Sequence, residues 1–334
     1  MNRRILIPVI ILIVVLISLS YYMIISKTSS ENTSNKITGV KLRELEALDY
    51  IKIVIVVDND RCDSILKATW GVSIYVETKY YRFLFDLGPD PDILEYNMRV
   101  LNIDPSKLNF LIISHEHFDH IGGFRYIASV KPGIKAYIPA DMSKSVIDML
   151  SKSFNITKVS KPTIIAKGLI SDGELYGGVY EQSIALYLAD RGLIVITGCA
   201  HPRIEYIVKY FHNITGLPIY AVIGGFHLIG ASSSRLNKIV EVFKELNVRF
   251  IFPIHCSGEA AREHFASRLE SVYVDGKVGT IIIFTKSYVK VLDFCSGISK
   301  KYSLTELPLY NTCSYCEWIP YWREWWCVSE FERH

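Results

Sequence analysis

The sequence predicts a layered α/β domain that follows an N-terminal membrane-spanning helix. Three observations support this prediction: an uncharged apolar segment near the N-terminus, short runs of β-branched residues from Tyr50 onward, and helix–strand units after those runs. Paired strands followed by alternating helices and strands are typical of layered α/β domains. The chain has 334 residues, 50% of them apolar, which is enough for one large domain with a buried core.

The N-terminal segment Ile5–Ile25 contains 21 residues and no charge. An apolar helix of this length crosses about 30 Å of hydrocarbon. Arg3 and Arg4 precede the segment, and by the positive-inside rule they favour a cytoplasmic N-terminus with the rest of the chain outside. We therefore expect residues 1–26 to form a single-pass anchor in the cell membrane, with the main domain extracytoplasmic. A cleaved signal peptide is the alternative.

The charge of the chain separates into two parts. Lys and Arg number 37 against 34 Asp and Glu, and the three extra positive charges all lie in residues 1–27. The remaining residues have 34 basic and 34 acidic side chains. Because nucleic-acid binding usually needs a strongly basic domain, no nucleic-acid partner is expected. Residues 27–46 are rich in Ser, Thr and Asn, which predicts a polar linker.

Short apolar runs predict the strands of the main domain, which we assign to residues 47–294. Helical patterns over residues 203–213 and 233–247 each lead into a further apolar run, with Ser232, Ser233 and Ser234 as candidate N-caps of the second helix. The predicted strands are rich in β-branched residues and cover residues 50–57, 71–77, 81–86, 109–114, 134–139, 183–189 and 192–198.

A cluster of histidines follows one of these predicted strands. His115, His117, Asp119 and His120 fall within six residues, directly before two glycines. Four such side chains at this spacing are improbable in a surface loop. Imidazole and carboxylate groups are ligands of Zn²⁺ and similar metals. The cluster therefore predicts a metal site.

Three later histidines lie at similar positions. His201, His227 and His255 each come where an apolar run gives way to Gly, Pro or Cys. Ligands gather at the carboxyl ends of strands in layered α/β folds. Asp86 also ends a predicted strand, where it would either orient a ligating imidazole or serve as an ordinary turn residue. No role is assigned to the remaining histidines, which are His212, His264 and His334.

At these residues the chain resembles the metallo-β-lactamase superfamily. The matching segments, in order, are LFDLG at 84–88, SHEHFDHIGG at 114–123, TGCAH at 197–201 and PIHCSG at 253–258. Within the superfamily, the segments VDN, GVS and GGFHL are similar to the branch of the 7,8-dihydropterin-6-methyl-4-(β-D-ribofuranosyl)-aminobenzene-5'-phosphate synthases. The resemblance covers about residues 50–293 and implies a four-layer αββα sandwich with a metal site at one edge.

The chain departs from the superfamily pattern at two positions. Most members place a metal-binding histidine before the strand pair at 183–198, but no histidine occurs between His120 and His201, and Glu181 stands near that place. Cys199 stands where a bridging acid is usual, either as a thiolate ligand or as a buried turn residue. His201 is then the natural replacement ligand, as the branch resemblance also implies. We expect one metal at His115, His117 and His201, and another at Asp119, His120 and His255, with a single ion as the alternative.

These residues predict a metal-dependent hydrolase that acts on a small-molecule substrate. One or two divalent ions, Zn²⁺ first and Fe or Mn as alternatives, would lower the pKa of bound water to about 7 and supply hydroxide for attack on a phosphoester or another ester. Asp119 is predicted to orient or deprotonate that water, and His227 to protonate the leaving group or hold substrate. The alternatives are a synthase-like transferase, an iron-dependent oxidoreductase and a non-catalytic metal-binding module.

Residues 295–334 form a C-terminal extension to which the resemblance does not reach. Four of the five tryptophans and three of the seven cysteines lie in residues 313–327. With Cys295, these cysteines would form either a structural zinc site or two disulfides. The aromatic residues would pack on the main domain, lie at the membrane interface or bind a partner.

Overall fold

The computed structural model describes residues 45–60 and 65–303. Two β-sheets form its centre. The larger sheet has nine strands, in the spatial order β17 (Ser299–Ser303), β16 (Tyr288–Asp293), β15 (Thr280–Thr285), β1 (Tyr50–Val57), β2 (Ser73–Thr78), β3 (Arg82–Phe85), β4 (Phe110–Ile112), β5 (Lys135–Pro139) and β6 (Asn155–Val159). The smaller sheet has six, in the order β14 (Phe250–Ile254), β13 (Ile219–Gly225), β12 (Gly192–Thr197), β11 (Ile184–Leu188), β8 (Leu169–Ser171) and β7 (Thr163–Ala166).

A two-stranded hairpin, β9 (Leu175–Tyr176) and β10 (Tyr180–Glu181), leads into the smaller sheet. Seven α-helices connect the strands: α1 (Pro91–Val100), α2 (Phe118–Ile121), α3 (Phe124–Val130), α4 (Lys144–Ser151), α5 (Ile204–Thr215), α6 (Ser233–Glu245) and α7 (Glu259–Arg268). The side chain of Ser232 accepts a hydrogen bond from the Arg235 N–H, so among the three candidate serines it is the N-cap of α6.

The alternation of side chains along β1 shows how the layers are built. Ile51, Ile53 and Ile55 point into the core between the two sheets, where they join residues such as Ile194 and Phe252 of the smaller sheet. Val54 and Val56 point to the opposite face and pack in the core beneath α1, α3 and α4. Because both faces of the strand are covered, its apolar residues run without the polar alternation of a half-exposed strand.

The outer face of the smaller sheet is covered by α5, α6 and α7. Phe226, which follows β13, stacks edge-on with Phe243 of α6 and Phe265 of α7 at ring distances of 6.1 and 6.3 Å. The order of layers is therefore helix, sheet, sheet, helix. This agrees with the predicted four-layer αββα sandwich.

Several sequence predictions concern residues outside this description. The predicted anchor over residues 1–26 and the Cys/Trp-rich segment at 313–327 lie outside the described residues. Among the residues that the structure describes, no helix combines the length and apolarity needed to cross a bilayer. The larger sheet continues to Ser303, past the predicted domain boundary at 294. Cys295 is disulfide-bonded.

Candidate metal centre

Six strands deliver side chains to one edge of the sandwich. β3 and β4 run parallel to each other in the larger sheet, and β1 has the same direction because two antiparallel pairings separate it from β3. In the smaller sheet β12, β13 and β14 are parallel. The residues that follow the carboxyl ends of these strands are Asp58, Asp86, His115, Cys199, His227 and His255. The predicted gathering of site residues at strand ends is therefore seen in both sheets.

The first predicted ligand set comes together as a compact group. Candidate ligand atoms of His115, His117 and His201 all lie within 4.8 Å of one another. Nε2 of His115 and Nδ1 of His117 face each other at 3.1 Å. Two ring nitrogens at this distance need either a proton or a shared cation between them. The donor set of three imidazoles suits a divalent ion such as Zn²⁺.

The second predicted set also converges. Oδ2 of Asp119 lies 3.2 Å from Nε2 of His255 and 3.6 Å from Nε2 of His120. His255 Nε2 is buried and has no hydrogen bond of acceptable geometry among the described residues. A buried ring nitrogen without a partner is costly in a protein interior, and a metal ion at this position would satisfy it. The residues present therefore fit the metal that the resemblance implies.

A buried carboxylate fixes the orientation of His120. Asp86 Oδ2 lies 2.7 Å from His120 Nδ1, which leaves Nε2 facing the ligand cluster. The same carboxylate accepts hydrogen bonds from the Ser114 hydroxyl and backbone N–H, each at 2.6 Å, and the Ser114 oxygen lies 2.8 Å from His115 Nδ1. Asp86 thus lies in contact with a candidate ligand, as the predicted orienting role requires. Carboxylate partners of this kind set the tautomer and raise the basicity of a ligating imidazole.

Glu181 performs the same function for His201. Its Oε2 lies 2.7 Å from His201 Nδ1 and accepts a hydrogen bond from the His201 backbone N–H at 2.9 Å. Its Oε1 accepts from the backbone N–H groups of Cys199 and Ala200, both at 2.8 Å. Glu181 is fully buried and holds the whole turn that carries His201. Glu181 stands near the place where most superfamily members have a metal-binding histidine. It therefore contacts His201, the predicted replacement ligand.

His255 is held by the segment after β1. Asp58 Oδ1 accepts a hydrogen bond from the His255 backbone N–H at 2.8 Å. Asn59 Oδ1 lies 3.0 Å from His255 Nδ1, and its amide donates to the His255 carbonyl at 2.9 Å. Four imidazoles of the cluster thus present Nε2 to its centre while Nδ1 contacts an oxygen atom: those of His115, His120, His201 and His255.

Burial and hydrogen bonding set the charge of the centre. Burial lowers the pKa of His120 to about 3 and that of His115 well below its usual value, so both imidazoles are neutral, as metal ligands must be. Burial opposes ionisation of Asp119, but the neighbouring imidazoles of His255 and His120 lower its pKa below the usual range. In Glu181 the effect of burial is likewise overcome, by the hydrogen bond from His201. Asp119 and Glu181 are therefore carboxylates.

Three site residues adopt left-handed backbone conformations. Asp86, His227 and His255 have φ values of 60°, 51° and 50°. Side chains other than Gly and Asn adopt this region at a cost of about 1–2 kcal/mol. Backbone strain of this kind is concentrated at functional sites, where the surrounding contacts enforce it.

His227 lies at the open side of the centre. It is exposed, and its ring lies 4.6 Å from that of His201. Large apolar side chains surround the histidines on the same surface. Trp70 is 52% exposed and lies 4.8 Å from the His255 ring, Phe118 is 66% exposed between His117 and Asp119, and Ile229 is 63% exposed beside His227. An apolar rim around buried polar groups is typical of a small-molecule site.

A basic groove begins directly after His201. It has a volume of about 490 Å³ and is lined by Pro202, Arg203, Glu205, Tyr206, Lys209, Lys238 and Val242. Arg203 pairs with Glu205 at 2.6 Å and Lys209 with Glu245 at 2.7 Å, while Lys238 is exposed on α6. Two of the three cationic side chains are paired with carboxylates, which leaves the charge of Lys238 to favour an anionic ligand.

The structure thus brings together every residue that the sequence singled out for the site. His212 lies apart in α5, where its Nδ1 contacts the Leu217 carbonyl, and His264 lies in α7. Asp58, Asn59 and Cys256 were not predicted as site residues. The first two belong to the VDN segment and Cys256 to PIHCSG, so the matching segments contained a signal for all three.

Comparisons with known proteins agree with this geometry. Residues 69–167 match the family model of the metallo-β-lactamase superfamily. A Methanocaldococcus jannaschii protein named 7,8-dihydropterin-6-methyl-4-(β-D-ribofuranosyl)-aminobenzene-5'-phosphate synthase is 27% identical over 73% of this chain and 100% of its own length. An uncharacterized protein of the same organism is 29% identical over 69% of this chain and 99% of its own length. A crystal structure of a metal-dependent hydrolase of the β-lactamase superfamily is 25% identical, has a TM-score of 0.62, and covers 71% of this chain and 100% of its own. The predicted resemblance is confirmed.

Proposed function

We propose that the chain, which resembles the metallo-β-lactamase superfamily over residues 69–167, is a metal-dependent hydrolase that cleaves a phosphoester or another ester bond. The observation that carries this proposal is the convergence of four imidazole Nε2 atoms, His117 Nδ1 and the Asp119 carboxylate at one edge of the sandwich. Such a donor set holds one or two divalent ions, which supply hydroxide at neutral pH and act as a Lewis acid when bound. The related crystal structure of a metal-dependent hydrolase supports the same reaction class.

The residues of this chain have separate tasks in that reaction. His115, His117 and His201 would hold one ion, and Asp119, His120 and His255 the other. Asp119, ionised and half-exposed, can accept a hydrogen bond from the attacking water and orient it. His227 is exposed beside His201, where it can donate a proton to the leaving group or hydrogen-bond to substrate.

The basic groove favours a substrate that carries phosphate. Pro202 and Arg203 of the groove directly follow His201 in the chain, so the groove begins at the turn that carries this candidate ligand. Arg binds phosphate through a rigid fork of donors, and Lys adds a point charge. The apolar rim of Trp70, Phe118 and Ile229 would contact an uncharged or aromatic part of the same molecule.

The test is metal content together with turnover. Full-length protein loaded in turn with Zn²⁺, Mn²⁺ and Fe²⁺ is assayed on phosphodiester, phosphomonoester, lactone and β-lactam substrates. We expect turnover of at least one phosphoester by wild type and by His264→Ala, and loss of both turnover and metal in His117→Ala. Retention of metal and activity in His117→Ala would contradict the proposal.

A second candidate is a transferase of the synthase type. The observation that favours it is the similarity of this chain to a protein named as a synthase, which is 27% identical and is matched over its full length. The groove suits phosphate-bearing reactants in this reaction as well. Incubation with a dihydropterin pyrophosphate and a ribosylaminobenzene phosphate separates the two functions, since a transferase joins the two organic molecules and a hydrolase forms only cleavage products.

We also propose that residues 5–25 anchor the protein in the cell membrane with the domain outside the cytoplasm. The uncharged segment and the arginines before it support this topology, and the disulfide at Cys295 is consistent with a non-reducing compartment. Protease added to intact cells tests it. Digestion of the domain without lysis is expected, and protection until lysis would contradict the topology.

A further inference from the structure

Cys199 lies at the point where the two ligand sets meet. Its Sγ is 3.2 Å from His120 Nε2, the ring nitrogen that faces away from Asp86. Cys199 forms compact groups with residues of both sets: with His115 and His120, with His255 and Cys256, and with His201 and His227. Within each group the candidate ligand atoms lie within 4.8 Å of one another. The Cys199 thiol therefore lies near candidate ligand atoms of both predicted metal ions.

The turn that carries Cys199 is held in place on two sides. Glu181 Oε1 accepts the Cys199 backbone N–H at 2.8 Å. On the other side, Gly198 packs so closely on β4 that a Cβ at this position would lie 2.1 Å from the Ser114 hydroxyl oxygen. Both contacts come from residues that also orient ligands, Glu181 for His201 and Ser114 for His115. The Cys199 side chain is therefore positioned by the same contacts as the histidines.

A purely structural cysteine would have a different environment. Buried structural cysteines behave as small apolar residues, but the neighbours of Cys199 Sγ include imidazole nitrogens. Cys256 offers an internal comparison. It is equally buried, but its Sγ lies 3.7 Å from the Cys199 carbonyl, and it occurs in only one of the five compact groups. Because both thiols belong to the group with His255, Cys256 is the alternative sulfur donor.

We propose that Cys199 Sγ is a metal ligand shared between the two ligand sets, in place of an oxygen donor. The inference rests on the proposed metal-dependent function. On binding, the thiol loses its proton to solvent, and the thiolate forms the bond to the ion, with no change in oxidation state. Thiolate ligands select thiophilic ions, so the centre would prefer Zn²⁺, Fe²⁺ or Co²⁺ to Mn²⁺ or Mg²⁺.

Cobalt substitution tests this proposal without an activity assay. Full-length protein is loaded with Co²⁺, its metal content is measured, and its near-ultraviolet absorption is recorded for wild type, Cys199→Ser, Cys199→Asp and Cys256→Ser. We expect a sulfur-to-cobalt charge-transfer band in wild type and Cys256→Ser, and loss of the band in both Cys199 variants. Cys199→Asp should bind Co²⁺ without the band and should lose the preference for Zn²⁺ over Mn²⁺.

X-ray absorption on wild-type protein loaded with Zn²⁺ gives a measurement that does not depend on any variant folding. A sulfur neighbour at about 2.3 Å from zinc is expected. Bound metal with only nitrogen and oxygen neighbours would overturn the thiolate ligand but leave the metal-dependent function intact. A band that survives in Cys199→Asp and disappears in Cys256→Ser would assign the sulfur to Cys256. Failure to bind any divalent ion would overturn both proposals.

Discussion

Glu181 Oε2 lies 2.7 Å from His201 Nδ1, across the turn that joins the strand pair β11–β12 to α5. The same carboxylate accepts hydrogen bonds from three consecutive backbone N–H groups, those of Cys199, Ala200 and His201. One buried side chain therefore determines both the path of the turn and the tautomer of the imidazole that replaces the missing histidine.

Replacement of Glu181 by Gln should weaken metal binding without unfolding the domain. The NH₂ group of a Gln side chain would face one of the N–H groups that now donate to the Glu181 carboxylate, so that hydrogen bond would be lost. Loss of a side chain that orients a metal ligand typically lowers metal affinity 10–100-fold. Competition with a chromophoric chelator measures the change. Glu245→Gln, which removes the exposed partner of Lys209, is the matched control and should bind metal as wild type does. Equal affinities for the two variants would refute an orienting role for Glu181.

His227→Asn should slow turnover while leaving the bound metal in place. Asn tolerates the left-handed conformation of residue 227, so the backbone is preserved and only the imidazole is lost. Loss of a general acid lowers kcat about 10²–10⁴-fold. Metal content by emission spectroscopy and steady-state kinetics are measured on the same preparation. If metal is lost in proportion to activity, His227 is a ligand rather than a proton donor.

Arg203→Ala and Lys238→Ala should raise KM for substrates with a phosphate group. Each removes one cation from the groove, and a charge-assisted hydrogen bond contributes about 1.5–3 kcal/mol, or roughly 10–100-fold in affinity. Because Arg203 also pairs with Glu205, the Lys238 variant is the cleaner of the two. Hydrolysis of an uncharged lactone serves as the internal reference. A similar rise in KM for the phosphate-bearing substrate and for the lactone would show that the two cations do not act by binding the anion.

Gly123→Ala should destabilise the domain because of its contacts, and Gly133→Ala because of its backbone conformation. A Cβ at Gly123, whose φ is −70°, would lie 2.1 Å from the Leu87 carbonyl oxygen, whereas Gly133 has φ 73° and open space around it. We expect a loss of about 3 kcal/mol in free energy of unfolding for Gly123→Ala, from overpacking. For Gly133→Ala we expect about 1 kcal/mol, from strain.

Metal affinity distinguishes these two glycine variants further. The segment with Gly123 also carries His120, whose carbonyl accepts a hydrogen bond from the Leu87 N–H at 2.8 Å. Displacement of this segment should weaken metal binding in Gly123→Ala, and Gly133→Ala should bind as wild type does. Chemical denaturation and chelator competition provide the two measurements, and equal metal affinity in both variants would contradict the expected coupling.

The main strands and the histidine positions could be predicted because they depend on local signals. β1 begins and ends at the predicted residues 50 and 57, since its β-branched residues are buried on both faces. The observed α6, Ser233–Glu245, ends two residues before the predicted helix at 233–247. The strands β6, β15, β16 and β17 were not predicted, and neither were the short strands β7 to β10. In β7 to β10, two to four residues carry no periodicity that distinguishes a strand from a loop.

The partners of the histidines were less accessible from sequence. Asp86 could be predicted because it ends an apolar run, as the histidines do. The contact of Asn59 with His255 joins residues 196 positions apart, and the VDN segment that contains Asn59 does not indicate which residue it contacts. Glu181 was noted only for its place in the chain, and its three backbone partners depend on a turn whose path is set by tertiary contacts.

Candidate ligands and the residues that orient them come from six strands in two sheets, and this arrangement would affect how much of the protein accumulates in the cell. A chain in which only one sheet has formed lacks part of each ligand set or the residues that orient it, so the full binding free energy of the metal is available only to the completed sandwich. Ligands that bind only the folded state shift the folding equilibrium toward it. Metal supply would then determine how much of the protein escapes proteolysis, so that its abundance and its activity rise and fall together.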